Sequence, residues 1–283
     1  MSDTTALPAT EAADTRFWAL ETWPTLIAAI ALWEGQMAAV AAMRPALPAI
    51  AAAVDAAAVR LAGDTGRLIY CGAGTSARIG VQDGAELPPT FDWPEHRLAF
   101  LIAGGTAALI GAIENAEDRD DLARAEIAAL AVTSQDVVIA LAASGNTPYT
   151  VAAMVAARKT GAITIGIANS PGCKLLDAAE HKVFLETGAE PIAGSTRLKA
   201  GTSQKIALNL ISTLIMVRLG RVYRGHMVDM VARNAKLRDR AVRMVVTLSG
   251  CDPIIASAAL AENGNNVKRA LVTLKTRGFT GGN

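Results

Sequence analysis

The sequence predicts an α/β protein: a doubly wound, mainly parallel five-stranded sheet, with N-terminal helices ahead of it and a helical C-terminal tail. Three observations carry that reading. Five short runs, Arg67–Cys71, Arg97–Ala103, Asp136–Ala142, Ala162–Ala168 and His181–Glu186, are apolar almost throughout, as strands covered on both faces require. Helical patterns alternate with them, which favours parallel strands joined by crossovers. Two of the strand-to-helix junctions are built from glycine and hydroxyl residues, Gly72-Ala73-Gly74-Thr75-Ser76-Ala77-Arg78 and Ala143-Ser144-Gly145-Asn146-Thr147-Pro148.

Residues 1–16 are polar and read as a flexible N-terminal arm. From Pro24 to Leu61 apolar residues recur at helical spacing, as in Leu26, Ile27 and Ile30, and predict two helices meeting near Pro45–Pro48. Between the strands, helices are expected over Thr75–Leu87, Ala107–Glu117, Leu122–Leu130, Pro148–Thr160 and Leu175–Ala179. After Thr187 the strand signals stop. Lys199–Leu219 reads as a long apolar helix and Met227–Thr247 as an amphipathic one rich in Arg. Pro253–Leu260 and Asn265–Thr276 read as short helices either side of Gly264. The main domain is therefore placed at 17–247 and a small helical tail at 248–283.

Composition narrows the function classes. The 283 residues can bury a substantial core, and a formal net charge of +1 creates no general field toward nucleic acid or an anionic membrane. With five Phe, four Trp and three Tyr, few rings are available for stacking bases, so no nucleic-acid partner is expected. Cys71, Cys173 and Cys251 are odd in number and widely separated, which suits a reducing compartment. His96, His181 and His226 lack zinc-ligand spacing, so no metal is expected. No apolar run approaches the ~18 residues of a membrane span, and the acidic start of the chain is no signal peptide.

The two loops suggest one pocket for a phosphorylated small molecule. A strand-to-helix loop offers unpaired backbone N–H groups, hydroxyls and the positive end of a helix dipole, all of which favour a phosphate. Thr147 stands where an N-cap belongs, and Pro148 suits the first helical position. The first loop also satisfies G-x-G-x-x-G/A. A dinucleotide site, however, needs an acidic residue at the end of the second strand, where this chain has Leu101-Ile102-Ala103-Gly104-Gly105. A third cluster, Gly194–Thr202, combines Ser195, Arg197 and Lys199 ahead of an apolar helix. It reads either as a capped helix with exposed cations or as an anion-binding edge.

Carboxylates supply the chemistry. Asp83 and Glu86 lie three apart on the helix after the first loop, ahead of Pro88-Pro89. A last-turn position there would meet the negative dipole end and favour a protonated general acid at Glu86. Glu114, Glu117 and Asp118 form an acidic group after the second strand; alone it reads as a solvated turn.

Jointly, Gly66–Ser76, Glu86–Phe91, Leu101–Gly105, Glu117-Asp118, Ala142–Tyr149, Gly194–Thr202, Met227–Asp229 and Lys236–Val242 resemble the N-acetylmuramic acid 6-phosphate etherases, within the sugar-isomerase (SIS) fold. The resemblance runs from about residue 63 to 247, with a weaker echo at Gly264–Lys268. It implies a cofactor-free carbon–oxygen lyase, cytoplasmic and homodimeric, that works in cell-wall amino-sugar recycling. Such enzymes use water to split the lactyl ether, giving N-acetylglucosamine 6-phosphate and D-lactate. The C2 hydrogen of the open-chain sugar is acidic and the ether oxygen lies β to it. One base therefore removes that proton, one acid protonates lactate, and water adds at C3.

The family's two catalytic glutamates fall on Glu86, implied as the acid, and Glu117, implied as the base. Thr75, Ser76, Ser144, Asn146 and Thr147 would hold the phosphate, with Asn146 and Ala77 standing where the family usually has Arg and Gly. One straight helix over Thr75–Glu86 would put Glu86 about 16 Å from the first loop. The second loop then takes most of the phosphate, or Gly80 and Gly84 bend the segment, or Glu86 serves a partner subunit. Two rival readings share the fold: a non-catalytic sugar-phosphate regulator, and an aldose–ketose sugar-phosphate isomerase.

Overall fold

The structure, a computed structural model, describes residues 9–230, 232 and 235–279. Helices α1 Thr25–Ala41 and α2 Met43–Leu61 come first, then β1 Leu68–Gly72, α3 Gly74–Ala85, α4 Leu87–Phe91 and β2 Leu98–Ile102. There follow α5 Asp120–Ala129, β3 Val137–Leu141, α6 Pro148–Lys159, β4 Ile163–Ala168, α7 Lys174–Ala178, β5 His181–Phe184 and α8 Lys199–Arg218. A short hairpin, β6 Val222–Tyr223 and β7 His226–Met227, precedes α9 Ala235–Ser249, α10 Pro253–Glu262 and α11 Val267–Thr276. The chain forms two compact units. The first runs to Gly84 and resumes over His96–Ile215; the second joins Ala85–Glu95 to the described residues from Met216 onward.

The first unit is built on the five predicted strands, all parallel, in the order β2-β1-β3-β4-β5. Every residue of β1, β3 and β4 is buried, which explains why these strands read as unbroken apolar runs. On one face Ile69, Cys71, Val138 and Ala140 join a core with Ala123 and Ile127 of α5, Met154 of α6 and Leu175 of α7. On the other, α2 packs against β3, β4 and β5 through its buried Ile50, Val54 and Leu61. Burying each such aliphatic side chain stabilises the fold by about 1.5–3 kcal/mol.

Glycine brings α3 close to this second face. A Cβ at Gly84 would lie 2.7 Å from the Phe100 ring and 2.8 Å from that of Tyr70. Close packing against the sheet is therefore the reason for that glycine. Asp83, one residue earlier, is buried; it accepts the Tyr70 hydroxyl at 2.9 Å and the Asn209 amide of α8 at 3.1 Å. Burial pushes its carboxyl up, against those hydrogen bonds and the nearby Lys205. At the N-terminal end of the strands, the Arg67 fork grips Asp136 at 3.1 and 2.7 Å. Although burial acts the other way, that guanidinium and two backbone N–H groups hold Asp136 below the usual carboxylate range.

Several expectations need correction. The helix expected over Ala107–Glu117 is two 3-10 turns, Thr106–Leu109 and Ala116–Asp118. Gly104, Gly105 and Asn115 take positive φ of 84°, 69° and 59°, and Ile110 is 96% exposed, so the stretch offers no continuous apolar face to bury. The helix expected to run through Leu87 breaks at Glu86, because Pro88 and Pro89 open the new helix α4, where a missing N–H costs nothing. The membrane reading also changes: by length and composition the helical stretch Thr25–Leu61 is long and apolar enough to cross a bilayer. Its second half, α2, spends its apolar face on the sheet.

Residues 1–8 of the expected arm lie outside the described residues. The remainder is held in place: Thr10 is buried, its carbonyl accepts the Gly194 N–H at 3.1 Å, and Ala13 bridges to Glu190.

In the second unit the helix expected from Met227 begins only at Ala235. Met227 instead pairs with Val222 across a two-residue turn, Arg224-Gly225, whose positive φ values of 47° and 76° suit a tight hairpin. Arg221 lies over the Trp93 ring at 5.2 Å and donates to the carbonyls of Phe91 and Asp92. Helices α9, α10 and α11 close on a core of Met244, Val245, Leu260 and Leu274. Asp252 and Asn266 cap α10 and α11 by accepting the Ile254 and Arg269 N–H groups.

Candidate active site

In the first unit the sheet order reverses between β1 and β3: β2 lies outside β1, while β4 and β5 lie beyond β3. Crossovers leave on opposite sides of such a point and open a crevice at the carboxyl ends of the strands. A cleft of about 390 Å³ lies there, lined by both glycine-hydroxyl loops and by Glu11, Glu117, Asp118, Gly194 and Thr196. That volume fits one small ligand.

The first loop passes from β1 into α3 through Gly72 and Gly74. A Cβ at Gly72 would meet the Ala77 nitrogen and the Leu141 carbonyl, each at 3.1 Å, and Gly74 has φ +52°. Ala77 is the residue whose N–H turns back to the Ala73 carbonyl, at 3.2 Å. The N–H groups of the residues before it, Thr75 and Ser76 among them, are first-turn donors with no helical acceptor.

The second loop is drawn tight by Gly145, at φ +67°, where a Cβ would fall 2.1 Å from the Cys173 sulfur. Thr147 does occupy the N-cap of α6 with Pro148 behind it, but its side chain makes no cap hydrogen bond. Asn146 lines the cleft and is tied into its surroundings. Its Nδ2 donates to the Ser144 carbonyl at 3.3 Å and its Oδ1 accepts the Lys174 N–H at 3.2 Å. The side chain thus staples the loop to α7, and its N–H donates to the Ser144 hydroxyl oxygen at 3.2 Å.

The structure brings Thr75, Ser76, Ser144, Asn146, Thr147 and Glu117 together around one cleft. It does not bring Ser195, Arg197 or Lys199 to it; the lining residues of that cluster are Gly194 and Thr196. Arg197 is exposed, and Lys199 is buried at the start of α8. There Glu190 accepts the backbone N–H groups of Lys199 and Ala200 at 3.0 and 2.9 Å and so caps the helix. Burial lowers the Lys199 pKa, against the pull of Glu190 and Asp14. Glu86 is in the second unit, exposed, between the last residue of α3 and the first of α4. It is therefore not a last-turn residue of α3, which closes at Ala85 before α4 opens at Leu87.

Two lining carboxylates escaped the sequence reading. Asp118 stood in the acidic group but was not singled out. Glu11, in the family's Thr-Glu pair, reaches the cleft because Thr10 is pinned beside Gly194. Among the described lining residues are three carboxylates and no Lys or Arg. The cleft offers an anion N–H groups, hydroxyls and two helix N-termini, each dipole being worth about 0.3–1 kcal/mol.

Residues 49–158 match the glucokinase regulatory protein N-terminal SIS domain family, and residues 120–214 match the SIS domain family. The chain is 53% identical over 224 residues to an N-acetylmuramic acid 6-phosphate etherase of Deinococcus radiodurans, covering 79% of this chain and 73% of that protein. It is 48% identical over 223 residues to the etherase of Streptomyces coelicolor, covering 79% and 71%. A phosphoheptose isomerase from Francisella tularensis superposes with a TM-score of 0.52 at 20% identity, covering 69% of this chain and 98% of that one. The last similarity concerns the fold alone.

Proposed function

Given that this chain belongs to the N-acetylmuramic acid 6-phosphate etherase family, we propose that it cleaves the lactyl ether of that sugar phosphate with water, releasing D-lactate and N-acetylglucosamine 6-phosphate. The observation that carries this reading is a single cleft holding two helix N-termini, their hydroxyls and Glu117. The N–H groups opening α3 and α6, with Thr75, Ser76, Ser144 and Thr147, anchor the phosphate. Glu117 takes the C2 proton of the open-chain sugar, Glu86 protonates the departing lactate, and water adds at C3. Both carboxyl roles come to these positions through the family's motifs. The three buried free thiols support a reducing, cytoplasmic setting.

The enzyme works as a homodimer. On α1, Leu26, Ile30, Trp33, Met37 and Val40 are all exposed, spaced four, three, four and three apart. That is the seam of a helix built to pack on another helix. Ala39 is the buried residue of α1, so the seam finds no cover among the described residues. Replacing Ile30 and Trp33 together by Asp is expected to yield a folded monomer by light scattering. A dimer of unchanged mass would place the contact elsewhere.

The deciding experiment is D-lactate release from N-acetylmuramic acid 6-phosphate in ¹⁸O-water. Lactate with ¹⁸O in the sugar product supports elimination followed by hydration. The match of residues 49–158 to the regulatory-protein family favours one second reading, a sensor. A sensor would bind the sugar phosphate and release no lactate.

A further inference from the structure

We propose that Arg78 is a positioning residue that couples the phosphate end of the cleft to Glu117. It stands on α3, three residues beyond Thr75. Its guanidinium reaches across to the segment after β2, donating from Nε to the Leu109 carbonyl at 3.0 Å and from Nη2 to those of Ala108 and Gly111 at 3.0 and 3.1 Å. This segment lacks the ladder or helix that normally satisfies carbonyls. Its 3-10 turn ends at Leu109, and the N–H groups of Ile110 and Gly111 both return to the Ala107 carbonyl. One side chain therefore supplies the acceptors at the end of that turn with their donors.

Glu117 lies six residues beyond Gly111 on the same segment, in the turn Ala116–Asp118. Immediately before it Ala116 packs against the sheet core. Earlier in the segment Ile113 folds back over Gly104, where a Cβ would come within 2.9 Å of it. The Arg78 clamp is the polar tie in this arrangement, and it starts from the helix whose first turn faces the cleft. A phosphate that settles on the first turn of α3 steadies the clamp, and the clamp steadies the carboxylate. Arg78 does not line the cleft, so its effect passes through Glu117 rather than through contact with substrate.

This inference rests on the etherase reading, and two measurements separate them. The first is lactate release by the unmodified protein; its absence defeats the etherase reading. The second compares Arg78→Ala and Arg78→Lys with that protein for kcat, KM and exchange of the C2 hydrogen in deuterated water. Misplacing a reacting group by about 1 Å costs on the order of 100-fold. Arg78→Ala is therefore expected to lower kcat and C2 exchange together by about 30-fold or more, with KM within about threefold. Arg78→Lys keeps the charge but cannot fork to three carbonyls, so it retains the fold and recovers only part of the rate, remaining about 10-fold down. A lysine variant with kcat and exchange within about twofold of the unmodified protein overturns the proposal. So does a rise in KM with kcat unchanged, which would make Arg78 part of phosphate binding.

Discussion

Glu117→Gln is expected to reduce both lactate release and C2 proton exchange by about 1000-fold, with sugar-phosphate binding kept within a few-fold. General acid–base groups contribute about 10²–10⁴ in rate, and the amide retains the shape of the side chain while losing its basicity. Glu117 itself is exposed, in a turn that Asn115 opens at φ +59°, so the substitution has no packing of its own to disturb. The companion variant Glu86→Gln makes the expectation sharper. If Glu86 delivers the proton to lactate after C2 has been deprotonated, exchange survives in that variant while release is lost. Loss of exchange in Glu86→Gln with exchange intact in Glu117→Gln would reverse the two roles. The neighbouring Asp118 lines the same cleft and provides the control: Asp118→Asn is expected to leave exchange within about threefold of normal.

Gly145→Ala is expected to lower stability by about 3 kcal/mol, a fall in Tm of roughly 10 °C for a unit of this size, and to remove phosphate recognition at the second loop. Two effects combine. The residue sits at φ +67°, where an L side chain is strained, and its Cβ would overlap the Cys173 side chain, 2.1 Å from Sγ and 2.6 Å from Cβ. Because the cysteine opens α7 and the loop is stapled to Lys174, the loop cannot yield without moving that helix. Gly172→Ala provides the comparison, with φ +58° and nothing within 4 Å of its Cβ. It is expected to show the conformational strain alone, about 1 kcal/mol. Removing the sulfur with Cys173→Ala recovers part of the loss in the double variant. Thermal unfolding of Gly145→Ala within 2 °C of the unmodified protein would show that the loop is not held as the structure has it.

The strands were legible because each is short, apolar throughout and set off by turn residues. Observed boundaries agree with the expected ones to within two residues, as for β3 at Val137–Leu141 against Asp136–Ala142. Both glycine-hydroxyl loops were legible for the same kind of reason: a positive φ or a close approach leaves glycine in the sequence as its trace. The stretch 107–117 misled because alanine is a strong helix former, and what organises the stretch instead is an arginine some 30 residues earlier. The hairpin at Val222–Met227 was missed since two-residue strands leave no period to detect. Lys199 is a similar case. A lysine beside Arg197 reads as a surface cation, and only Glu190, nine residues before it, shows that the helix start it opens is buried and capped.

Local chemistry thus specified the strands and the phosphate-type loops, since each depends on residues adjacent in the chain, while Glu86 and Glu117 were singled out through the family's motifs. Tertiary structure decided which residues share the cleft. The reversal of strand order at β1 and β3 puts two distant loops side by side, admits Glu11 and Thr196, and leaves out Ser195, Arg197 and Lys199. It also decided that the apolar stripe of α1 faces outward while that of α2 faces the sheet. Both helices carry the same kind of side chains, and hydrophobicity has no direction until a surface is there to receive it.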